Sequence, residues 1–231
     1  ATDKLRTHYY EGRIYQNAGQ GDLAMKSFIK AREVEGPITD TLTLGNLLVA
    51  QATYYYSTYK VKEFIANNQQ AARLYEAIGH SYYQFRSLLN TLDGSILNND
   101  KPLADSILTC CRSEIEKHPD YEASLLSYIL SYTITFGSDE EIRTAIESCL
   151  DKKHLSRNAK LKMALGYSKI GEAEKALQIF TEASPSNSLS YLAIQMQVLK
   201  SNGKYKDALD AYQSYSNTLE KKHQEIFSQD L

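Results

Sequence analysis

Apolar residues recur along this chain with the spacing of helix faces. Ala173, Ala176, Leu177, Phe180 and Ala183 stand at i, i+3, i+4, i+7 and i+10, and Tyr205, Ala208, Leu209, Tyr212 and Tyr215 repeat the series. Each set is one apolar stripe of an α-helix. Another stripe comes before the first, Leu161, Ala164, Leu165, Tyr167 and then Ile170, and a short turn carrying Gly171 separates the two. The unit is therefore a helix hairpin. It cannot bury its own faces alone and must stack on neighbouring hairpins.

The hairpin recurs. Ala164, Tyr167, Gly171, Ala176, Phe180 and Ala183 have the same offsets as Gly12, Tyr15, Gly19, Ala24, Phe28 and Ala31. A third copy keeps Gly203, Ala208 and Tyr212, with Met196, Leu199 and Tyr215 at the other positions. A fourth keeps Gly137, followed by Ile142, Ile146 and Cys149. Between the first and fourth copies the residues diverge but the rhythm continues. The pattern predicts helices over Asp40 to about Tyr56, Val61 to Ile78, Ser81 to Leu97 and Pro102 to Glu116. Turns are expected near Gly19, Tyr59, Asn99, Gly137, Gly171 and Gly203, so the middle hairpins run to roughly 40 residues. Punctuation agrees with this division. Gly36-Pro37 closes the first hairpin, Ser138 to Glu141 forms a capping box, and His118-Pro119-Asp120 opens another helix. Tyr54-Tyr55-Tyr56 has strand propensity but lies inside a helical pattern.

With small, aromatic, Gly, Ala, aromatic and Ala at these offsets, the chain resembles the tetratricopeptide repeat, a unit of about 34 residues. The resemblance is closest over 5–36, 157–188 and 189–217 and looser over 123–156. It implies an all-α, right-handed α-solenoid of about six helix hairpins over 1–217, with first helices on the concave side and second helices on the convex side. Residues 218–231, with Leu219, Ile226 and Phe227 on a polar background, read as the truncated start of a further helix. The chain opens at Ala1 and stops in a charged segment, which reads as a piece of a longer protein.

Composition narrows the function. The 231 residues hold 26 Lys+Arg against 28 Asp+Glu, a net charge of −2. A general nucleic-acid binder would carry a basic excess, so that partner class is disfavoured through this region. No apolar run reaches the roughly 20 residues needed to span a bilayer. The five histidines are scattered and Cys110-Cys111 is not a C-x-x-C pair, so no local metal-ligand spacing exists. Gly19-Gln-Gly21-Asp-Leu-Ala24 imitates a dinucleotide fingerprint, but a helix stripe precedes it where that motif needs a strand. No nucleophile–base constellation is visible. The expectation is a non-catalytic chain with no metal and no cofactor, with Cys111 and Cys149 at the same packed repeat position.

The 18 tyrosines divide into two groups. Tyr15, Tyr167, Tyr205, Tyr212 and Tyr215 occupy repeat positions and are expected in the core. Tyr9, Tyr10, Tyr54, Tyr55, Tyr56, Tyr59, Tyr82 and Tyr83 are clustered and cannot all face inward. They form either a binding surface or packing between long middle helices.

The resemblance implies a protein- or peptide-binding scaffold, with a groove lined by first-helix side chains. In the repeat frame these are Tyr9, Arg13 and Asn17 in the first unit and Arg86 and Asp93 in the third. Ser127 and Ser131 follow in the fourth and Gln197 in the sixth. Tyr9 and Arg13 are the best anchors. A clamp that holds chaperone C-terminal carboxylates through Lys and Asn is absent, since Tyr9, Arg13, Leu161 and Leu165 stand at its positions. The second reading is the extracytoplasmic sensor region of a membrane-tethered bacterial regulator, which would place the chain in the periplasm; the alternative compartment is the cytoplasm. Truncating Phe180, between stacked hairpins, is expected to cost more than truncating Phe28 at an open end.

Overall fold

The structure, a computed structural model, describes residues 1–34, 36, 39–150 and 155–227, with the backbone alone at 222, 223 and 225–227. Pro37, His154 and the side chains of His223, Ile226 and Phe227 thus lie outside the described residues. Among those described, every regular element is helical. The chain forms two compact units, one over Ala1–Pro119 and one from Asp120 onward. In the first are α1 (Thr2–Asn17), α2 (Gly21–Arg32), α3 (Thr41–Ser57), α4 (Val61–Ala77), α5 (Ser81–Leu97) and α6 (Lys101–Lys117). After a turn of 3-10 helix at Pro119–Tyr121 come α7 (Glu122–Phe136), α8 (Asp139–Leu150), α9 (Arg157–Lys169), α10 (Ala173–Thr181), α11 (Leu189–Ser201) and α12 (Tyr205–Phe227).

Within each unit the helices pack neighbour to neighbour, and next-but-one pairs also touch: α1 with α3 in the first, α9 with both α7 and α11 in the second. This is an all-α, solenoid-type helical array. One core cluster in the second unit joins Ile142, Ile146, Ala164, Tyr167, Phe180 and Tyr191 across several helices. Such continuity follows from hairpins that must share their apolar faces.

The turns share one physical device. The backbone takes positive φ at Gly19, Gly79, Gly171 and Gly203, and also at Tyr59 (59°) and Asn99 (54°). The next amide then reaches back five residues. Gln20 N donates to Tyr15 O at 2.9 Å, Lys60 N to Tyr55 O at 2.8 Å, and Asp100 N to Ser95 O at 2.9 Å. This 6→1 bond satisfies a carbonyl left open at the helix end. Gly137 departs from it, with φ −90° and ψ 165°. There the following helix is held by the capping box instead: Ser138 N donates to Glu141 Oε2 at 2.7 Å and Glu141 N to Ser138 Oγ at 3.3 Å.

The middle of the chain is more regular than its residues imply. Helices α3, α4, α5 and α6 are each 17 residues long and begin at 41, 61, 81 and 101. The turn between α4 and α5, at Gly79, has the same bond as the turns within hairpins, with His80 N donating to Tyr75 O at 2.8 Å. The repeating element here is thus a single helix, and α4 packs against α5 as it does against α3. Polar residues fill part of the interior. Asn68 is fully buried; its Nδ2 donates to Phe64 O at 2.9 Å and its Oδ1 accepts from Asn90 Nδ2 at 3.0 Å. These bonds offset the cost of burying an amide.

Two expectations are corrected at the far end. Tyr205, Leu209 and Tyr212 are not core residues: they are 70%, 64% and 53% exposed. The final helix packs mainly on α11, through a face that includes buried Ala211, so the stripe that a next hairpin would cover lies open. At the expected boundary between 217 and 218 there is no helix break, since α12 runs from Tyr205 to Phe227.

The cysteines separate by environment. Cys111 and Cys149 are buried and Cys110 is exposed. Burial pushes the Cys111 thiol up to about 12. Thiolate is the reactive form, so Cys110 is expected to react first with a disulfide reagent at pH 8. One fast equivalent and two slow ones, becoming three fast ones in denaturant, is the expected result. Three equal rates in the native protein would contradict this arrangement.

Candidate functional site

The first unit holds a concave cavity of about 420 Å³. Its walls come from four helices: Tyr9 and Arg13 on α1, Asn46 and Val49 on α3, Tyr75 on α4, and Tyr82, Tyr83, Arg86, Ser87 and Asn90 on α5. The local sequence explains the placement. Tyr9 and Arg13 are one turn apart on α1, as are Tyr82 and Arg86 on α5, so each pair shares a helix face. On α3, Gly45 lets Tyr75 lie against the backbone; a Cβ there would sit 2.8 Å from the Tyr75 ring. Tyr75 is thereby buried beneath the cavity, and its hydroxyl donates to Asn46 Oδ1 at 2.8 Å.

The aromatic rings form a connected set. Tyr75 and Tyr83 have centroids 5.4 Å apart, His80 and Tyr83 4.9 Å, and Tyr82 and Tyr83 5.6 Å. Tyr9 and Tyr10 are 5.1 Å apart. The outer rings, Tyr82 and Tyr83, are about half exposed, whereas Tyr9 and Tyr75 are buried. Burial raises the pKa of the Tyr9 hydroxyl, and the charge and hydrogen bond of Arg13 pull it the other way. Burial likewise raises Tyr75, with Tyr9 and Tyr83 adding to the effect. Both phenols therefore stay protonated at neutral pH and serve as neutral hydrogen-bonding groups. Arg86 Nη1 donates to the Tyr82 hydroxyl at 3.3 Å.

Of the residues expected to line a groove, Tyr9, Arg13 and Arg86 meet in this cavity. Asn17 lies exposed on α1 and Asp93 half-buried on α5, and neither lines it. The other three belong to the second unit. Ser127 is half-buried on α7, and Ser131 is buried with its hydroxyl donating to Ser127 O at 3.0 Å. Gln197 is exposed on α11. Leu161 and Leu165 pack in the second unit's core.

The sequence pattern missed Tyr75, Asn46, Val49, Ser87 and Asn90. Tyr75 stands on a second helix of the hairpin frame, outside the positions taken to face a groove. The signal that would have found it is the one-helix period, which makes α4 equivalent to its neighbours.

Among the described residues, no group of three or more His, Cys, Asp or Glu side chains could hold a metal ion. None of the described helices is long and apolar enough to cross a membrane. No protein-family model matches this chain, and a search of curated proteins likewise finds no match.

Proposed function

We propose that this chain is a non-catalytic protein- or peptide-binding scaffold of tetratricopeptide-repeat type, docking its partner at the cavity of the first unit. The observation that carries the reading is the meeting of Tyr9, Arg13 and Arg86, from two first helices, with the ring set of Tyr75, Tyr82 and Tyr83. Tyrosine and arginine dominate binding energy at protein interfaces, because each combines a broad apolar body with directed donors. Half-exposed rings over a buried aromatic floor supply both a surface and a fixed shape.

The test is selection from a library of end-capped random heptapeptides, followed by affinity measurement on variants. Tyr82→Ala plus Tyr83→Ala is expected to weaken the selected peptides at least about tenfold. These tyrosines suit the test better than Tyr9, whose burial makes its truncation report on folding as well. Lys175→Ala plus Gln178→Ala, on exposed positions of α10, should leave affinity unchanged. Loss in the α10 variant with retention in the tyrosine variant would overturn the assignment.

A further inference from the structure

The cavity holds two cations and no acid. Arg13 and Arg86, from helices distant in the chain, both line it, and none of its lining residues is Asp or Glu. Several other cations of this protein meet carboxylates. Arg6 pairs with Asp40 at 2.6 Å, Lys101 with Asp105 at 2.9 Å, and Lys160 with Glu182 at 3.0 Å. In the cavity the guanidinium groups meet tyrosines instead, Arg86 the Tyr82 hydroxyl and Arg13 the Tyr9 hydroxyl. A phenol takes up one donor of a five-donor fork, so each arginine keeps donors for an anion.

We infer that the cavity takes the carboxylate of an Asp or Glu side chain within a peptide, held between Arg13 and Arg86, with a neighbouring apolar side chain against the tyrosine rings and Val49. This rests on the proposed docking reading and adds the chemistry of the ligand. Carboxylates match the guanidinium fork and form charge-assisted bonds, stronger where tyrosine walls limit water. The guanidinium fork also matches phosphate, and Tyr82 and Tyr83 stand in the first turn of α5. The tyrosine rings and Val49 beside the two arginines favour an acidic side chain with an apolar neighbour, and inorganic phosphate is the competing occupant that the experiment separates from it.

The experiment compares the full chain with Arg13→Glu plus Arg86→Glu, using the same end-capped heptapeptide library. A charge-matched control, Lys26→Glu plus Lys30→Glu, changes exposed residues of α2 outside the cavity. Peptides selected by the parent chain should be enriched about tenfold in Asp or Glu beside an aromatic or aliphatic residue. The arginine reversal should abolish that enrichment and favour Lys or Arg, while the control keeps the parent's preference. Selection indifferent to acid, or an acid preference that survives the arginine reversal, overturns the inference. So does binding only by peptides with a free C-terminal carboxylate, or displacement of the peptides by millimolar inorganic phosphate or ATP. Peptides that show no acid preference but are lost on Tyr82→Ala plus Tyr83→Ala would sink the carboxylate and leave the docking reading intact. Failure to select any peptide would sink both.

Discussion

Phe28→Ala is expected to destabilise the first unit by about 3–5 kcal/mol, the range for emptying a fully buried aromatic site. Phe28 is completely buried, and its ring fills the space left by a missing side chain on α1: a Cβ at Gly12 would lie 2.3 Å from Phe28 Cε1. Its cluster includes Leu5, Tyr9, Ala24, Ala31 and Leu47 from three helices, so truncation removes contacts that join α1, α2 and α3. The sequence pattern ranks this site below Phe180, because it puts Phe28 in an end hairpin. Burial does not separate the two in that direction: Phe180 is 6% exposed and Phe28 is 0% exposed, so both rings are core. Phe28 is covered although it stands in the end hairpin, because its cluster extends to Leu47 and Ala50 on α3. The check is urea denaturation of both variants, with amide hydrogen exchange in α1 and α2 assigning the loss to this unit. A loss at Phe28 clearly smaller than at Phe180 would show that the end hairpin frays before its core is tested.

The helical array was legible because its signals are local. Apolar spacing marks each helix, and the turn residues mark each stop. The expected stops at Gly19, Tyr59, Asn99, Gly171 and Gly203 all have positive φ, including the two that are not glycine. Tyr59 and Asn99 were found by rhythm, since residue type alone does not select tyrosine for a left-handed turn. The single-helix period of the middle was harder to see, because equivalent buried positions carry unlike residues. Gln51, Ala71, Thr91 and Cys111 stand at the same step of α3, α4, α5 and α6, and all are buried. A search for matching hydrophobic residues cannot align a glutamine with an alanine and a cysteine. The shared property is burial, and the polar members are satisfied in different ways: Gln51 Oε1 accepts from Arg32 Nη1 at 3.4 Å, and Thr91 Oγ1 donates to Ser87 O within its own helix at 2.9 Å.

The candidate site was legible in part for the same reason. Tyr9, Arg13 and Arg86 could be placed because first-helix faces follow from the repeat frame. Their meeting in one cavity depends on how α1, α3 and α5 pack, which no local signal encodes. The exposure of Tyr205, Leu209 and Tyr212 was missed from the opposite side. Helical spacing shows which residues share a face, and only the neighbouring element decides whether that face is covered.

Gly45→Ala is expected to cost about 1–3 kcal/mol and to disturb the cavity from below. The added methyl would lie 2.8 Å from Tyr75 Cε1 and 2.9 Å from Cζ, closer than carbon atoms can approach. The ring has little freedom to yield. Tyr75 is 2% exposed, its hydroxyl is bonded to Asn46, and its ring centroid lies 5.4 Å from that of Tyr83. Any shift that relieves the clash therefore strains that hydrogen bond or displaces Tyr83, and both consequences reach the cavity wall. An ordinary helix-interior Gly→Ala change works in the other direction, gaining roughly 0.5–1 kcal/mol from lower backbone entropy in the unfolded chain. The sign of the effect thus reports the close approach. Tyr75→Leu removes the ring atoms that collide, so adding it to Gly45→Ala should cost less than the two single losses together. Urea midpoints of the four proteins supply this cycle, and the Tyr83 ring resonances report whether the wall has moved. Gain of stability in Gly45→Ala, or strictly additive losses in the double variant, would mean that Gly45 is not what seats Tyr75.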